Sequence, residues 1–307
     1  MTSTLGIHTI DTGFFRPQFD AAYLVVENGR GAFIDCGTNH SVPRMLATLD
    51  EAGLSTNEVD WLILTHVHLD HAGGAGELIA QLPNARLAVH PRGARHMIDP
   101  SKLWAGASAV YGEAVMEREY GRLRPIPAER VTEAHDGFEI DLAGRVLRCI
   151  DTPGHAKHHN SIHDVRANVC FTGDVFGLSY RDFDTASGPF ILPTTSPVQF
   201  DPEALHASID RLVALKPEAM YLTHYDRVED VTGLAGDLHK QIDAMVTLAR
   251  GLKDSEDRHT ALVSGLTDLY ATRAEAHGWH RGREALVELL HMDIELNAQG
   301  LEVWLDR

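Results

Sequence analysis

Four apolar runs in this 307-residue chain each stop at a side chain able to bind a metal ion. "WLIL" ends in Thr65-His66. "VLRCI" leads through Asp151-Thr152-Pro153-Gly154 to His155, and "NVCF" leads through Thr172-Gly173 to Asp174. "AMYL" ends in Thr223-His224. The first run continues as "THVHLDHAGG", which places His66, His68, Asp70 and His71 within six residues. In layered α/β proteins, sites form in the loops beyond strand ends, so residues far apart in sequence can converge at one edge of the sheets. The repeated Leu-Thr-His then marks two strands that deliver a ligand to the same rim.

The spacing inside the first cluster carries more. His66 and His68 are two apart and project to the same side of an extended segment. Asp70 and His71 follow where the chain turns toward a helix. Four donors this close would overcrowd one tetrahedral ion, but they suit two adjacent ions. The expected arrangement puts His66, His68 and His155 on one divalent cation and Asp70, His71 and His224 on a second. The carboxylate of Asp174 bridges them. Imidazole and carboxylate donors without cysteine suit zinc, with iron and manganese as alternatives.

The elements around these motifs alternate. "AAYLVVE" and "AFIDCG" flank Asn28-Gly29, a hairpin signal. "SVPRMLATLDEAG" has helical spacing and a terminal glycine. The strand "VDWLILTH", a glycine-rich turn, a helix through "AGELIAQLP" and the strand "ARLAVH" follow. This alternation predicts a layered α/β protein. Residues 101–127 read as a helical insertion. Strands resume at "GFEIDLAGRVLRCIDTPGH", "HNSIHDV" and "NVCFTGD". Residues 178–200 lack a period and read as a long ordered loop, a feature that is often functional. "DPEALHASIDRLVAL" reads as a helix with Asp201 as N-cap and Pro202 in its first turn. "AMYLTH" reads as a last core strand. Beyond about Asp230 the pattern is helical to the end. These features predict a domain over 1–229 and a helical extension over 230–307.

Composition narrows the partners. The chain has 27 basic and 44 acidic residues, a formal net charge of -17. Such a chain repels nucleic acid and anionic membrane surfaces over most of its exterior. No apolar run approaches the ~20 residues needed to span a bilayer. The N-terminal "MTSTLGIHTIDTGFF" lacks the basic and apolar regions of a signal peptide. Cys36, Cys149 and Cys170 are odd in number and each sits in an apolar run, as buried free thiols would. The expected setting is cytoplasmic. The expected partner is a small-molecule substrate, with no nucleic acid and no membrane, and a homodimer is possible.

At its metal-competent motifs the chain resembles the metallo-β-lactamase-fold superfamily over about residues 7–226. "THVHLDHAGG", "DTPGH", "FTGD" and "YLTHY" stand for that superfamily's successive metal motifs, and "FIDCG" for its early hairpin and turn. The resemblance implies a four-layer αββα sandwich of two mixed β-sheets with the metals at one edge, here with C-terminal helices added. It also implies that Asp35 supports the ligands from behind. The bridging Asp174 is similar to that of the glyoxalase II, lactonase and flavodiiron-type branches and is absent from true β-lactamases of this fold. In "TPGHAKHHNS", glyoxalase-like members usually read Gly-His at the last two of Lys157, His158 and His159. His159 fits the histidine, and His158 replaces the glycine.

The function this implies is a metal-dependent hydrolase. Hydroxide at a dinuclear site would attack the carbonyl of an ester, thioester or lactone, with Asp70 binding metal and orienting the nucleophile. One alternative is an oxidoreductase similar to the persulfide dioxygenases, with one iron held by His66, His155 and Asp174. Another is a dimetal sensor or scaffold without catalysis. Iron with oxygen uptake would favour the first alternative, and bound metal without turnover the second. Tyr180, Arg181 and Tyr225 follow metal motifs and are candidates to orient substrate. His90 and His96 are weaker candidates, and ordinary polar or surface positions suit them better. His291, Asp293 and Glu295 are best explained by an amphipathic helix. Trp104, Tyr111, Phe183 and Phe190 are candidate apolar walls for a compact ligand.

Overall fold

Asn28 and Gly29 both take positive φ, 46° and 74°. That is the two-residue turn whose twist matches a β-hairpin, and it joins β2 (Ala21–Glu27) to β3 (Arg30–Ile34) with Glu27 opposite Arg30. The computed structural model describes residues 5–195 and 198–307, without the side chains of Val110 and Tyr111. The proposed wall residue Tyr111 therefore lies outside the described side chains. The chain divides into two compact units. One holds Met1–Asp151, His158–Gly173 and Pro217–Arg227, and the other Thr152–Lys157, Asp174–Lys216 and Val228–Arg307.

The first unit carries two six-stranded mixed sheets. Sheet one adds β1 (Ile7–Asp11), β4 (Val59–Ile63), β5 (Arg86–Val89) and β6 (Val131–Glu133) to the hairpin, in the order β1-β2-β3-β4-β5-β6. β3, β4, β5 and β6 run parallel. Parallel neighbours need crossovers. These are α1 (Val42–Glu51), the short α2 (Leu69–Ala72) with α3 (Ala75–Gln81), and α4 (Pro91–Ile98) with α5 (Ser101–Tyr111) and α6 (Glu113–Glu119). α1 shows why such a segment is helical. Pro43 sits in its first turn and Val42, Met45 and Leu49 are buried, a spacing that lays one apolar face on a sheet. They join Leu24, Phe33, Leu62, Leu87, Leu78 and Met97 in one core.

Sheet two orders β7 (Glu139–Leu142), β8 (Arg145–Asp151), β9 (Asn160–Asp164), β10 (Val169–Gly173), β11 (Ala219–Leu222) and β12 (Asp226–Val228) as β12-β11-β10-β9-β8-β7. β7 to β10 are antiparallel in sequence, whereas β10 and β11 are parallel. β8, β10 and β11 therefore all end at the same edge. The sheets face one another through Tyr23, Phe171 and Tyr221, whose ring centroids lie 5.1–5.3 Å apart. The Tyr23 hydroxyl donates to the Leu222 carbonyl.

The second unit is helical. α7 (Pro202–Ala214) opens with the expected cap, the Asp201 carboxylate accepting the Ala204 N–H at 3.1 Å. α8 (Val231–Gly251), α9 (Arg258–Ala276) and α10 (Arg283–Leu305) bury Leu238, Ile242, Leu266, Tyr270, Leu290 and Ile294. Among the described residues, no helix is long and apolar enough to cross a membrane.

The architecture expected from the sequence is present: two mixed sheets with helices and a helical C-terminus. Four details differ. Helix begins at Pro91 rather than near residue 101, and ends at Glu119, because Gly121 takes φ 70° and prolines follow at 125 and 127. β6 and β12 were not anticipated; each has three residues, too few to show a period. The loop 178–200 is ordered where described. Phe183 and Phe190 are buried against each other, with Trp279 on Phe183 at 4.6 Å. They form core and not an exposed wall.

Arg145 is one of the largest fully buried side chains. Its Nε donates to Asp164 Oδ2 at 2.8 Å and its Nη1 to the Leu5 carbonyl at 2.7 Å, with Glu27 3.7 Å away. Removing one partner of a buried pair strands the other's charge, at a typical cost of about 3–5 kcal/mol. Arg145→Met should lower stability by about that amount in urea denaturation, and Arg145→Met with Asp164→Asn should lose less. A single variant within about 0.5 kcal/mol of the wild type would show the pair to be dispensable.

Candidate metal centre

Asp35 lies just past β3 with φ 55° and is almost fully buried. Its carboxylate gathers four donors. The Thr65 N–H reaches Oδ1 at 2.8 Å. The Thr65 hydroxyl and His71 Nδ1 each reach Oδ2 at 2.8 Å, and the Thr223 hydroxyl reaches it at 3.3 Å. Thr65 and Thr223 are the threonines of the two Leu-Thr-His sequences. The repeat thus supplies two hydroxyls to one buried carboxylate, as well as two histidines to one rim.

These bonds fix which ring nitrogen is presented. An ionised carboxylate only accepts, so His71 carries its hydrogen on Nδ1 and turns Nε2 outward. His224 does the same through the Phe19 carbonyl, 2.9 Å from its Nδ1. The Thr65 hydroxyl gives its hydrogen to Asp35 and lies 3.2 Å from His66 Nδ1. It can therefore accept from that ring and leave His66 Nε2 as the donor atom toward a cation. His66 Nε2 faces His68 Nδ1 at 2.7 Å.

Three donor atoms converge at one point of this unit. Asp70 Oδ2 lies 3.8 Å from His71 Nε2 and 3.5 Å from His224 Nε2, and the ligand atoms of the three residues are all within 4.8 Å of one another. Those separations are long for hydrogen bonds. Two ligands about 2.1 Å from one tetrahedral ion lie roughly 3.4 Å apart, which matches. Histidines held through Nδ1 by a carboxylate or a carbonyl are the usual supported form of a metal ligand. The residues present fit a divalent cation.

His158 and His159 belong to the same unit, close to His66. The His159 ring lies 5.0 Å from it and the His158 ring 6.1 Å, with His158 also 5.6 Å from His68. Gly173 permits this crowding. It takes φ 49°, and a Cβ there would meet His159 Nε2 at 2.6 Å and Thr65 Oγ1 at 2.8 Å.

In the second unit, His155 Nε2 lies 3.3 Å from Asp174 Oδ2, and both are buried. The preceding Pro153-Gly154 turn is seated on α7. The Ser208 hydroxyl donates to the Pro153 carbonyl at 2.6 Å, and the Asp201 N–H to the Gly154 carbonyl at 2.8 Å. A Cβ on Gly154 would strike the Leu205 backbone at 2.4 Å. In the chain, Asp174 directly follows the last residue of β10, and His155 stands four residues beyond β8.

The remaining candidates have other surroundings. Tyr180 is buried and its hydroxyl donates to Asp293 at 3.0 Å. Tyr225 is buried beside His224 in sequence. His90 caps α4 through Nδ1 and reaches Asp151 at 3.3 Å through Nε2, and burial lowers its pKa. His96 Nε2 accepts from Arg95 at 3.3 Å, and burial lowers its pKa too. Glu295 contacts His259 at 3.1 Å. Arg181 bonds to the Ser179 carbonyl. Cys36, Cys149 and Cys170 are buried free thiols, as expected.

Sequence reasoning missed Asp20. It is fully buried, accepts from the Thr12 hydroxyl at 2.8 Å, and is electrostatically near His224, His71 and Asp70. Burial pushes its carboxyl up to about 7, against the pull of the two histidines. A single aspartate ahead of an apolar strand offers no spacing that would have revealed it.

Comparison with known proteins identifies the family. Residues 16–224 match the family described as the metallo-beta-lactamase superfamily. The metallo-beta-lactamase fold-containing protein ST1585 of Sulfurisphaera tokodaii is 28% identical over 278 residues, covering 82% of this chain and 97% of that protein. A hydroxyacylglutathione hydrolase of Aeromonas hydrophila is 27% identical over 211 residues, covering 68% of this chain and 63% of that enzyme. The crystal structure of ST1585 from Sulfolobus tokodaii superposes with a TM-score of 0.68 at 25% identity, covering 97% of this chain and 99% of that one. On its sequence, its two mixed sheets and its matched length, the chain belongs to the metallo-beta-lactamase superfamily.

Proposed function

We propose that this protein is a metal-dependent hydrolase acting on the carbonyl of a small or medium ester, thioester or lactone. The observation that carries the reading is the Asp35 carboxylate, which aims the Nε2 of His71 at the carboxylate of Asp70 while binding the threonines of both Leu-Thr-His sequences. Likeness to a hydroxyacylglutathione hydrolase supports an acyl substrate. We assign His66, His68 and His155 to one divalent ion and Asp70, His71 and His224 to the other, with Asp174 shared. The donor types in each group suit this. Zinc is the favoured ion, with iron or manganese compatible with the same donors.

Bound ions would supply Lewis acidity to the carbonyl oxygen and draw a water's pKa toward neutrality. The chain's own groups do the rest. Asp35, Thr65 and the Phe19 carbonyl hold three imidazoles in one tautomer, so no proton must move before a cation binds. Asp70 is about one-quarter exposed, unlike His71. We assign its carboxylate the role of orienting a nucleophilic water and accepting its proton. The net charge of -17 disfavours a long polyanion as substrate. We therefore propose a small-molecule partner, a cytoplasmic setting without nucleic acid or membrane, and a possible homodimer.

Elemental analysis should find two ions per metal-replete chain. Asp174→Asn should lower occupancy of both, and a wild type that never exceeds one ion would remove the dinuclear assignment. Asp35→Asn sets an N–H where donors now converge, so metal affinity should fall about 10–100-fold with the fold retained by circular dichroism. Unchanged affinity would separate Asp35 from the centre. Metal-replete protein should hydrolyse an aryl ester, thioester or lactone with kcat/KM well above that for single-stranded RNA or DNA. Efficient salt-sensitive nuclease activity with inert acyl substrates would overturn the choice.

A further inference from the structure

α7 and α8 each carry a His-x-x-x-Asp sequence, His206 with Asp210 and His239 with Asp243. Residues four apart share a helix face, yet the pairing crosses between the helices. His206 Nε2 lies 3.2 Å from Asp243 Oδ1, and His239 Nε2 lies 3.0 Å from Asp210 Oδ1. Each carboxylate only accepts, so each ring's hydrogen belongs on Nε2. The two Nδ1 atoms then face each other with their lone pairs, 2.6 Å apart. The ring planes are 20° from parallel and the centroids 4.9 Å apart, so the rings meet edge to edge. Two imidazole lone pairs at that distance repel unless a positive charge lies between them. The same approach, 2.7 Å, occurs between His66 and His68 in the metal centre.

We propose that His206 and His239 form a further binding site, outside the metal centre, for a divalent transition cation. Their Nδ1 atoms are the ligands, and Asp210 and Asp243 orient the rings. A carboxylate on the far nitrogen of each ring is the usual support for a metal-binding histidine. Imidazole donors without thiolate favour copper, nickel or zinc. Nitrogens about 2.1 Å from one tetrahedral ion stand roughly 3.4 Å apart, so the rings must part by under about 1 Å. Their side chains are 28% and 27% exposed, which leaves room for that motion. His206 and Asp243 line a cleft of about 620 Å³ together with Asp201 and Glu203, an acidic route for a cation. Arg250 and Lys253 line the same cleft and oppose it. With only two protein ligands, water completes the coordination and the ion exchanges freely.

The test uses full-length protein with its metal centre already loaded and excess metal removed. Ni²⁺ is titrated by calorimetry, with paramagnetic broadening of the histidine ring signals as the local readout. Wild type should take up about one further ion per chain and broaden the His206 and His239 signals. His239→Gln should weaken that uptake at least tenfold, and Asp210→Asn several-fold. Metal-centre content and acyl hydrolysis should stay unchanged in both. His206→Gln serves in place of His239→Gln should that variant unfold. Equal uptake by wild type and the glutamine variant would overturn the proposal. So would a wild type that takes no further ion while its ring signals respond only to pH, as a shared proton would make them. Because the readout is binding, failure here leaves the hydrolase reading untouched, and an inactive wild type leaves this one testable.

Discussion

The Asp35 carboxylate is the constraint on which the centre depends. A buried carboxylate is costly unless its oxygens are filled by donors. Here they are filled by the residues that follow two strands of different sheets, Thr65 after β4 and Thr223 after β11, and by His71 in the short α2. Each donor is one residue from a candidate ligand or is one itself. Satisfying a single buried charge therefore brings together the ends of both sheets, and it selects the ring nitrogen that His71 presents. The Thr65 hydroxyl extends the effect to His66 by giving one hydrogen and accepting another.

Strand direction makes that convergence possible. β3 and β4 are parallel, as are β10 and β11, and β8 has the direction of β10 because two antiparallel steps separate them. All five strands release their chain at one edge of their sheet. Backbone bonds tie the released segments: the Asn160 N–H donates to the Thr65 carbonyl at 2.7 Å, and the Ala21 N–H to the Thr223 carbonyl at 2.8 Å. At Thr65 and Thr223 the ligand-bearing segments are thus anchored within one or two residues of a strand. That is the condition for side chains to keep a fixed geometry without a bound ion to hold them.

Most of this was legible in the sequence because the motifs follow apolar runs whose ends can be read directly. The Leu-Thr-His repeat, the hairpin at Asn28-Gly29 and the Asp201 cap are local signals, and each has its expected place. What could not be read depended on neighbours distant in sequence. Tyr180 reads as a candidate to orient substrate because it follows Asp174 closely. The chain turns at Gly177, where φ is 72° and a Cβ would strike the Leu192 carbonyl at 2.3 Å, and Tyr180 enters a core with Asp293 instead. Phe183 and Phe190 go the same way. The His206–His239 pair spans 33 residues on two separate helices. Neither His-x-x-x-Asp sequence suggests a site alone, and only the approach of α7 to α8 gives the pair its chemistry.

Gly173 shows how closely the chain's turns and its candidate centre are bound together. "FTGD" reads first as a strand that delivers Asp174, with the glycine as mere punctuation. The glycine's positive φ is needed to turn the chain out of β10, but its missing side chain matters as much. The space a Cβ would fill is bounded by His159 Nε2 and Thr65 Oγ1. Thr65 is the residue through which Asp35 reaches His66. A side chain at 173 would thus press on the hydroxyl that sets the His66 ring, besides straining the backbone just ahead of Asp174. The second histidine of "HHN" packs into the volume the glycine leaves. Four residues from separate segments (Asp35, Thr65, His159 and Gly173) therefore form one connected support, and none of them need touch an ion to determine where the ligands stand.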